Sequence, residues 1–491
     1  MTARFMALLV LLAVALTPAI KNLAIANAQQ QGAAAPLVFD GVTVIDVQDG
    51  RRLSAQRVII VGNHIRTVGS MSTVQIPAGA KVVDARGKYL IPGLWDMHTH
   101  SRRYTDFFYP LFIANGVTGI RDAWSEVPLD TLTMWRREIV AGTRIGPPRQ
   151  LISGPALDEQ QPCSRGPGQG HVCVADSADA RHVVDSLKAA GANIIKTYDL
   201  KNKETYFAVA SEARHIGIPF GGHMDIRELG ITAIQASDSG ATILDHGNTS
   251  GDLDELCLGK PSSVERCQPL AARFRQNGTW WVPTFIRMAT AYSIEKAPAG
   301  RVALAKPAYG PASRAMLERF YQFSSNFWAG SEIHLTGLRD AAKAAASATT
   351  SPSADAGGSL QIAHRVGLPI LAGTDEGAPV MERQPPGFSL QIELATYVEE
   401  GLTPLEALQT ATLNPAKAIR GTDSLGTVAP GKLADLVLLD ADPLMDITNI
   451  TAIRGVVANG HYFDRAALDH LLTDTQARAK QEPQPLGQAR Q

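Results

Sequence analysis

The sequence predicts an α/β protein: a (β/α)8, TIM-like barrel inserted in a small β-sandwich built from both chain ends. Three observations predict it. From Ile91 to about residue 419, apolar or β-rich runs alternate with helical patterns, as a parallel barrel requires. Short β-prone runs separated by turns flank this stretch on both sides. The first apolar run, Ile91-Pro92-Gly93-Leu94-Trp95-Asp96-Met97-His98-Thr99-His100, ends in two histidines one residue apart. On a strand, residues i and i+2 share a face, so His98 and His100 aim at one point; on a helix they would diverge by roughly 200°. The C-terminal end of a barrel strand is where such folds keep their active sites.

The elements follow in chain order. Arg4 precedes the apolar run from Phe5 to Leu16, then come Thr17-Pro18 and the small-residue site Ala26-Asn27-Ala28, which read as a cleaved signal peptide over residues 1–28. About 12 apolar residues fall short of the ~20 needed to span a bilayer, so the expectation is a periplasmic or secreted protein without stable membrane insertion. Residues 29–90 carry Leu37-Val38-Phe39, Val58-Ile59-Ile60-Val61 and Val82-Val83 between turn signals, and a matching piece returns within residues 420–465 as Leu436-Val437-Leu438-Leu439 and Gly455-Val456-Val457-Ala458. Together these form the expected sandwich, and residues 91–419 form the barrel.

Seven further strands are expected at Gly116–Asp122, Gln150–Ser153, Asn193–Tyr198, Pro219–His223, Thr242–His246, Trp280–Pro283 and Pro369–Asp375. Helices are expected at Ala178–Ala190, Lys203–His215 and Pro404–Thr412. The interval from Thr284 to Gly367 is too long for one crossover and reads as added helices and a lid, with a flexible Ala344–Gly358. Residues 466–491 read as a C-terminal helix and tail, disordered from about Ala477.

Composition narrows the partners. Among 491 residues, 46 basic against 47 acidic side chains leave a net charge of −1 and no basic tract long enough to track phosphates, which excludes nucleic acid. A small molecule is the expected partner, with homo-oligomerisation left open. The four cysteines form two pairs ten residues apart, Cys163 with Cys173 and Cys257 with Cys267. Neither has Cys-x-x-Cys spacing, so local disulfides are expected rather than zinc ligation.

Four of the strands carry a residue able to bind metal at or near their ends: Lys196, His223, His246 and Asp375. Each alone is ordinary, but their placement at the same end of several strands points to one site. These residues, with Pro92-Gly93-Leu94-Trp95-Asp96-Met97-His98-Thr99-His100, Gly116-Val117-Thr118-Gly119-Ile120-Arg121-Asp122, Asn414-Pro415-Ala416-Lys417-Ala418 and the run from Gly426 to Val437, make the chain resemble the metal-dependent amidohydrolase superfamily. The resemblance is specifically to its binuclear, carbamylated-lysine branch of secreted Xaa-Pro dipeptidases and ochratoxinase-like amidohydrolases, with imidazolonepropionase further off. The resemblance implies that His98, His100 and Asp375 hold one metal and that His223 and His246 hold the other. It further implies that Lys196 bridges them as a carbamate formed with CO2.

Imidazoles and a carboxylate suit zinc, and two divalent ions sharing a water lower its pKa from about 15.7 toward ~7, supplying hydroxide as nucleophile. Asp375 is then the proton acceptor and donor. Tyr198 either hydrogen-bonds the substrate carbonyl or packs, and Arg102 and Arg103 either meet a substrate carboxylate or are solvated. Arg121 and Asp122 belong to the family pattern and read as structural. The expected activity is hydrolysis of C–N bonds in amides or peptides, on dipeptides or N-acyl amino acids. The alternatives are hydrolysis of a cyclic amide, carbamate or urea, deamination, and, from another class, a non-catalytic ligand-binding protein.

Overall fold

Ile91 and Leu94 lie three residues apart yet pair with different sheets. Strand β5 (Tyr89–Pro92) pairs antiparallel with β15 (Leu436–Leu439), Ile91 opposite Val437, whereas β6 (Leu94–Ser101) pairs parallel with β7 (Val117–Ser125), Leu94 opposite Val117. Gly93 makes the changeover possible: a Cβ there would lie 2.1 Å from Thr118 Oγ1, a clash no side chain avoids. The single apolar strand expected from the sequence is therefore two strands, one per sheet. The computed structural model describes residues 35–102, 105–159, 170–223, 229–246, 253, 256–257, 263–285, 312, 316, 359–376 and 386–481. The expected signal peptide, Cys163, Arg103, Ala344–Gly358 and most of the expected lid lie outside them.

Both chain ends build one eight-stranded sheet, in the order β17 (His461–Asp464), β16 (Ile453–Ala458), β15, β5, β1 (Leu37–Ile45), β2 (Arg52–Val61) and β3 (His64–Ser70), with β4 (Lys81–Asp84) also on β1. The union of the two ends agrees with the sequence. Its form differs, because the strands make one continuous ladder rather than two separate sheets. Phe39, Val42, Ile60, Leu90, Leu436 and Val457 pack together as its core.

The middle of the chain forms parallel ladders. One is β6, β7 and β8 (Arg149–Ile152); the other runs β10 (His171–Cys173), β9 (Ala156–Asp158), β11 (Ile195–Thr197), β12 (Phe220–Gly222), β13 (Ile243–Asp245) and β14 (Trp280–Val282). Backbone bonds link the two ladders. Asn193 N–H donates to Ile152 O at 2.9 Å, Leu371 N–H to Trp281 O at 2.8 Å and Met97 N–H to Ala372 O at 2.9 Å. The expected strand Pro369–Asp375 makes only isolated bridges, Ile370 with Trp281 and Glu376 with Thr99, because the chain turns left-handed at Asp375 with φ 60°. Strands β9 and β10 were not anticipated; they lie in what reads as loop.

Helices fill the gaps as the 3.6-residue patterns require. Helix α1 (Thr105–Ala114) follows β6, α2 (Leu129–Ala141) follows β7, and α3 (Ser177–Ala189) and α4 (Lys203–Ile216) bracket β11. Asp176 caps α3 by accepting from Ala178 and Asp179, and Asn202 caps α4 by accepting from Glu204. Beyond them come α5 (Ala233–Asp238), α6 (Val264–Asn277), α7 (Ser359–Arg365), α8 (Phe388–Glu399), α9 (Pro404–Thr410) and α10 (Leu413–Ala418). The last, α11 (Arg465–Gln481), continues through residues 477–481, where disorder was expected. Inside the parallel strands Trp95, Met97, Ile194, Ile243, Val282 and Leu371 form their own apolar layer.

Cys257 and Cys267 are buried and disulfide-bonded, Cys267 on α6 rather than in a loop. Cys173 is also disulfide-bonded. Replacing Cys257 and Cys267 together by Ser should lower stability by up to about 3 kcal/mol, read as an earlier urea midpoint; an unchanged midpoint would show the bond contributes nothing.

Candidate metal centre

The two histidines of β6 converge, but not by simple alternation. Between Asp96 and Thr99 the register against β7 slips by one residue, and it slips back between Thr99 and His100. Such bulges re-aim side chains at the ends of strands. His100 Nε2 stands 2.7 Å and His98 Nε2 3.3 Å from the same oxygen, Asp375 Oδ1, and the ligand atoms of all three residues lie within 4.8 Å of one another. Asp375 is held by its own N–H, which donates to His98 O at 2.8 Å. The turn before it is tied to β6 through Asp96, whose carboxylate accepts from Thr374 Oγ1 at 2.7 Å and from the N–H groups of Thr374 and His98, each at 3.1 Å.

Beneath this trio lies a charged core. Arg121, on β7, forks onto Asp245 with bonds of 2.7 and 2.9 Å and donates a third, of 2.9 Å, to Met97 O. Lys196 Nζ donates to Asp245 Oδ2 at 2.5 Å, and His98 Nδ1 stands 3.1 Å from Asp245 Oδ1. Arg121, Lys196, Asp245 and His98 are each at most 1% exposed. Burial pushes the Asp245 carboxyl up, but Arg121, Lys196 and His98 together outweigh it and hold the pKa well below the usual carboxylate range.

The neighbours respond to the same burial. It lowers Lys196 to about 8 against the pull of Asp245, and it lowers His100 to about 3 and His98 below its ordinary value, so both imidazoles are neutral at ambient pH. It raises Asp96 to about 7 and Asp122 to about 8, and raises Glu376 well above the carboxylate range with help from the charges of Asp96, Asp122 and Asp375.

The second pair of histidines adjoins the first. The His246 ring lies 4.6 Å from the His98 ring and 4.9 Å from the His223 ring, centroid to centroid. His246 Nδ1 is 2.5 Å from Thr284 Oγ1. His246, Thr284 and Asp375 all have left-handed backbone, with φ of 62°, 52° and 60°, a strained conformation for non-glycine residues that clusters at functional sites. A Cβ on Gly222, where φ is 137°, would lie 2.2 Å from Thr197 O and 2.7 Å from Lys196 Cδ, and one on Gly221 would lie 2.0 Å from Ile243 O, so the Gly-Gly before His223 lets the neighbouring strands approach.

Around the rim run Trp124, His171 and Tyr198. The Trp124 ring sits 4.5 Å from that of His100, His171 lies 4.6 Å from Tyr198, and Tyr198 stacks on His223 at 4.4 Å. Arg102 ion-pairs with Glu126 at 2.7 Å and lies over Trp124, so it is anchored in the protein rather than freely solvated.

The donor set fits a divalent metal. Both ring nitrogens of His98 are buried without a hydrogen bond, Nδ1 toward Asp245 and Nε2 toward a carboxylate oxygen that His100 also faces, and burial favours the neutral imidazole. Of the sequence-predicted residues, His98, His100 and Asp375 form one group, and His223 and His246 meet beside it. Lys196 reaches the same core through Asp245.

The Amidohydrolase family model matches residues 358–462, which include Asp375. An adenine deaminase of Mesorhizobium japonicum is 23% identical over 454 residues, 88% of this chain. Over residues 358–462 the chain is similar to the Amidohydrolase family. It spans 58% of the length of that curated relative. Among solved structures, a molinate hydrolase superposes with a TM-score of 0.64 at 18% identity, covering 94% of this chain and 99% of the other. A Xaa-Pro dipeptidase with bound methionine gives 0.59 at 20% identity, covering 88% and 100%. At these identities the likeness is one of fold.

Sequence reasoning missed Asp245, Thr284, Trp124 and His171. Asp245 left one signal, an acidic residue closing the apolar run Ile243-Leu244 just before His246. Arg121→Met should leave the buried Asp245 carboxylate with too few donors, and removing one partner of a buried pair costs about 3–5 kcal/mol. Thermal unfolding reads this out; a variant as stable as the parent would show that the fork is dispensable.

Proposed function

We propose that this chain is a metal-dependent hydrolase of C–N bonds in amides or peptides, acting on dipeptides or N-acyl amino acids. The observation that carries the reading is the buried convergence of His98, His100 and Asp375 on one point. In this reading the parallel strands close as a (β/α)8 barrel over residues 91–419, inserted in the unit that residues 29–90 and 420–465 build. Residues 1–28 are a signal peptide, and the protein works in the periplasm or outside the cell.

His98, His100 and Asp375 would hold one divalent ion, zinc by the chemistry of the donors, and His223 and His246 a second. Lys196 would join them as a carbamate: CO2 would add to its neutral amine, forming a C–N bond and releasing one proton, and the new carboxylate-like group would supply two oxygens. Burial that brings the Lys196 pKa down to about 8 supports this step, since the neutral amine is then accessible near ambient pH. When bound, the ions supply Lewis acidity that lowers the pKa of water toward ~7 and polarises a carbonyl.

The chain's own groups do the rest. Asp375 accepts the proton of the attacking water and delivers it to the leaving nitrogen. Tyr198, beside His223, donates its O–H to the carbonyl oxygen as negative charge develops there. The aromatic rings of Trp124, His171 and Tyr198 wall the approach and limit water.

A second reading, deamination by the same groups, is favoured by the relationship to an adenine deaminase over 88% of the chain. Metal analysis followed by parallel assays on dipeptides, N-acyl amino acids and adenine separates the two. Amino acid release supports the first reading, and ammonia release from adenine alone sinks it.

Asp375→Asn should lower kcat by at least ~10²-fold while KM moves less, because a general acid-base role is typically worth 10²–10⁴-fold. Near-parental kcat in a metal-replete variant would refute the role. Lys196→Ala should lose about half the bound metal and most activity, with partial rescue by a small carboxylic acid. A variant that keeps two metals per chain and full turnover would eliminate the carbamate.

A further inference from the structure

We infer that Asp245 is a positioning residue for the first metal: clamped by Arg121, it holds the His98 ring with the proton on Nδ1 and the lone pair of Nε2 turned toward the ion shared with His100 and Asp375. This rests on the metal-dependent reading above.

The argument starts from what surrounds the His98 ring. One nitrogen, Nδ1, stands 3.1 Å from Asp245 Oδ1, and the other, Nε2, stands 3.3 Å from Asp375 Oδ1. A neutral imidazole has one N–H and one lone pair, and a carboxylate only accepts. Two carboxylates therefore compete for a single proton, and the ring must be set one way for Nε2 to coordinate. Asp245 is the better fixed of the two. It comes from β13, is fully buried, and receives a two-bond fork from Arg121, which is itself anchored to Met97 O, one residue before His98. The residue that orients Asp245 thus also holds the backbone that carries His98. Lys196 Nζ donates to the other oxygen, Oδ2, at 2.5 Å, so Oδ1 is the oxygen that faces His98. A carboxylate on the far nitrogen of a ligand histidine fixes its tautomer and raises its basicity, and loss of such a partner typically lowers metal affinity 10–100-fold.

The test is zinc affinity, measured by competition with a chromophoric chelator, in the full chain and in Asp245→Asn and Asp245→Glu. The expected result is a roughly 10–100-fold weaker first zinc in Asp245→Asn, with partial recovery in Asp245→Glu, in variants whose thermal unfolding and circular dichroism match the parent. Parental affinity in Asp245→Asn would overturn the inference. Should the variants not fold, a crystal structure of the zinc-loaded parent decides. Nε2 on zinc with Nδ1 against Asp245 supports the role, and Nδ1 on zinc overturns it. A parent that takes up no divalent ion at all would instead remove the underlying metal-dependent reading, an outcome distinct from normal uptake through the wrong nitrogen.

Discussion

The Arg121–Asp245 fork ties together the strands that carry the site. Arg121 comes from β7, Asp245 from β13, the carbonyl of Met97 from β6 and Lys196 from β11, and all of these meet where no water reaches. An isolated carboxylate there would be costly, because burial in a medium of low dielectric penalises the charged form. The guanidinium's planar fork and the ammonium repay that penalty together, and the two charge-assisted contacts leave little freedom in how the strands sit against one another. His98, His100 and Lys196 inherit their positions from this arrangement.

The same burial sorts the other acids. Burial pushes the Asp96, Asp122 and Glu376 carboxyls up, Asp96 to about 7 and Asp122, against the weaker pull of Arg121, to about 8. Asp96 and Asp122 then serve as hydrogen-bonding struts, Asp96 between β6 and the Thr374 turn and Asp122 on the N–H of Ser101 at 2.9 Å. Asp245 alone among these buried acids is held well below the usual range. The difference is the partner, not the depth.

Strain is concentrated at the ends of the strands. His246, Thr284 and Asp375 accept left-handed backbone, and β6 carries register slips on both sides of Thr99. A regular strand would end each run with its side chains evenly alternating. These departures turn His246 toward Thr284 and bring Asp375 beneath both imidazoles of β6. Regular hydrogen bonding is given up locally in exchange for convergence, while the apolar layer of Trp95, Met97, Ile194, Ile243, Val282 and Leu371 keeps the strands in place.

By itself the sequence determined the order of elements and picked out His98, His100 and Asp375, which the fold brings together. Periodicity marked the helices to within a residue or two, as at Ser177–Ala189 and Lys203–Ile216, and the apolar runs marked the parallel strands. His98, His100 and Asp375 were legible because such residues, each ordinary alone, recur at the same end of several apolar runs. Only the tertiary structure decided the rest. Gly93 divides one apolar run between two sheets, the chain ends make one ladder, and the last expected strand is reduced to bridges around a left-handed Asp375. Above all, the pairing of Arg121 with Asp245 joins residues 124 positions apart. A lone arginine and a lone aspartate carry no local pattern. Their partnership arises from two strands meeting in space, and periodicity along the chain does not encode which strands will meet.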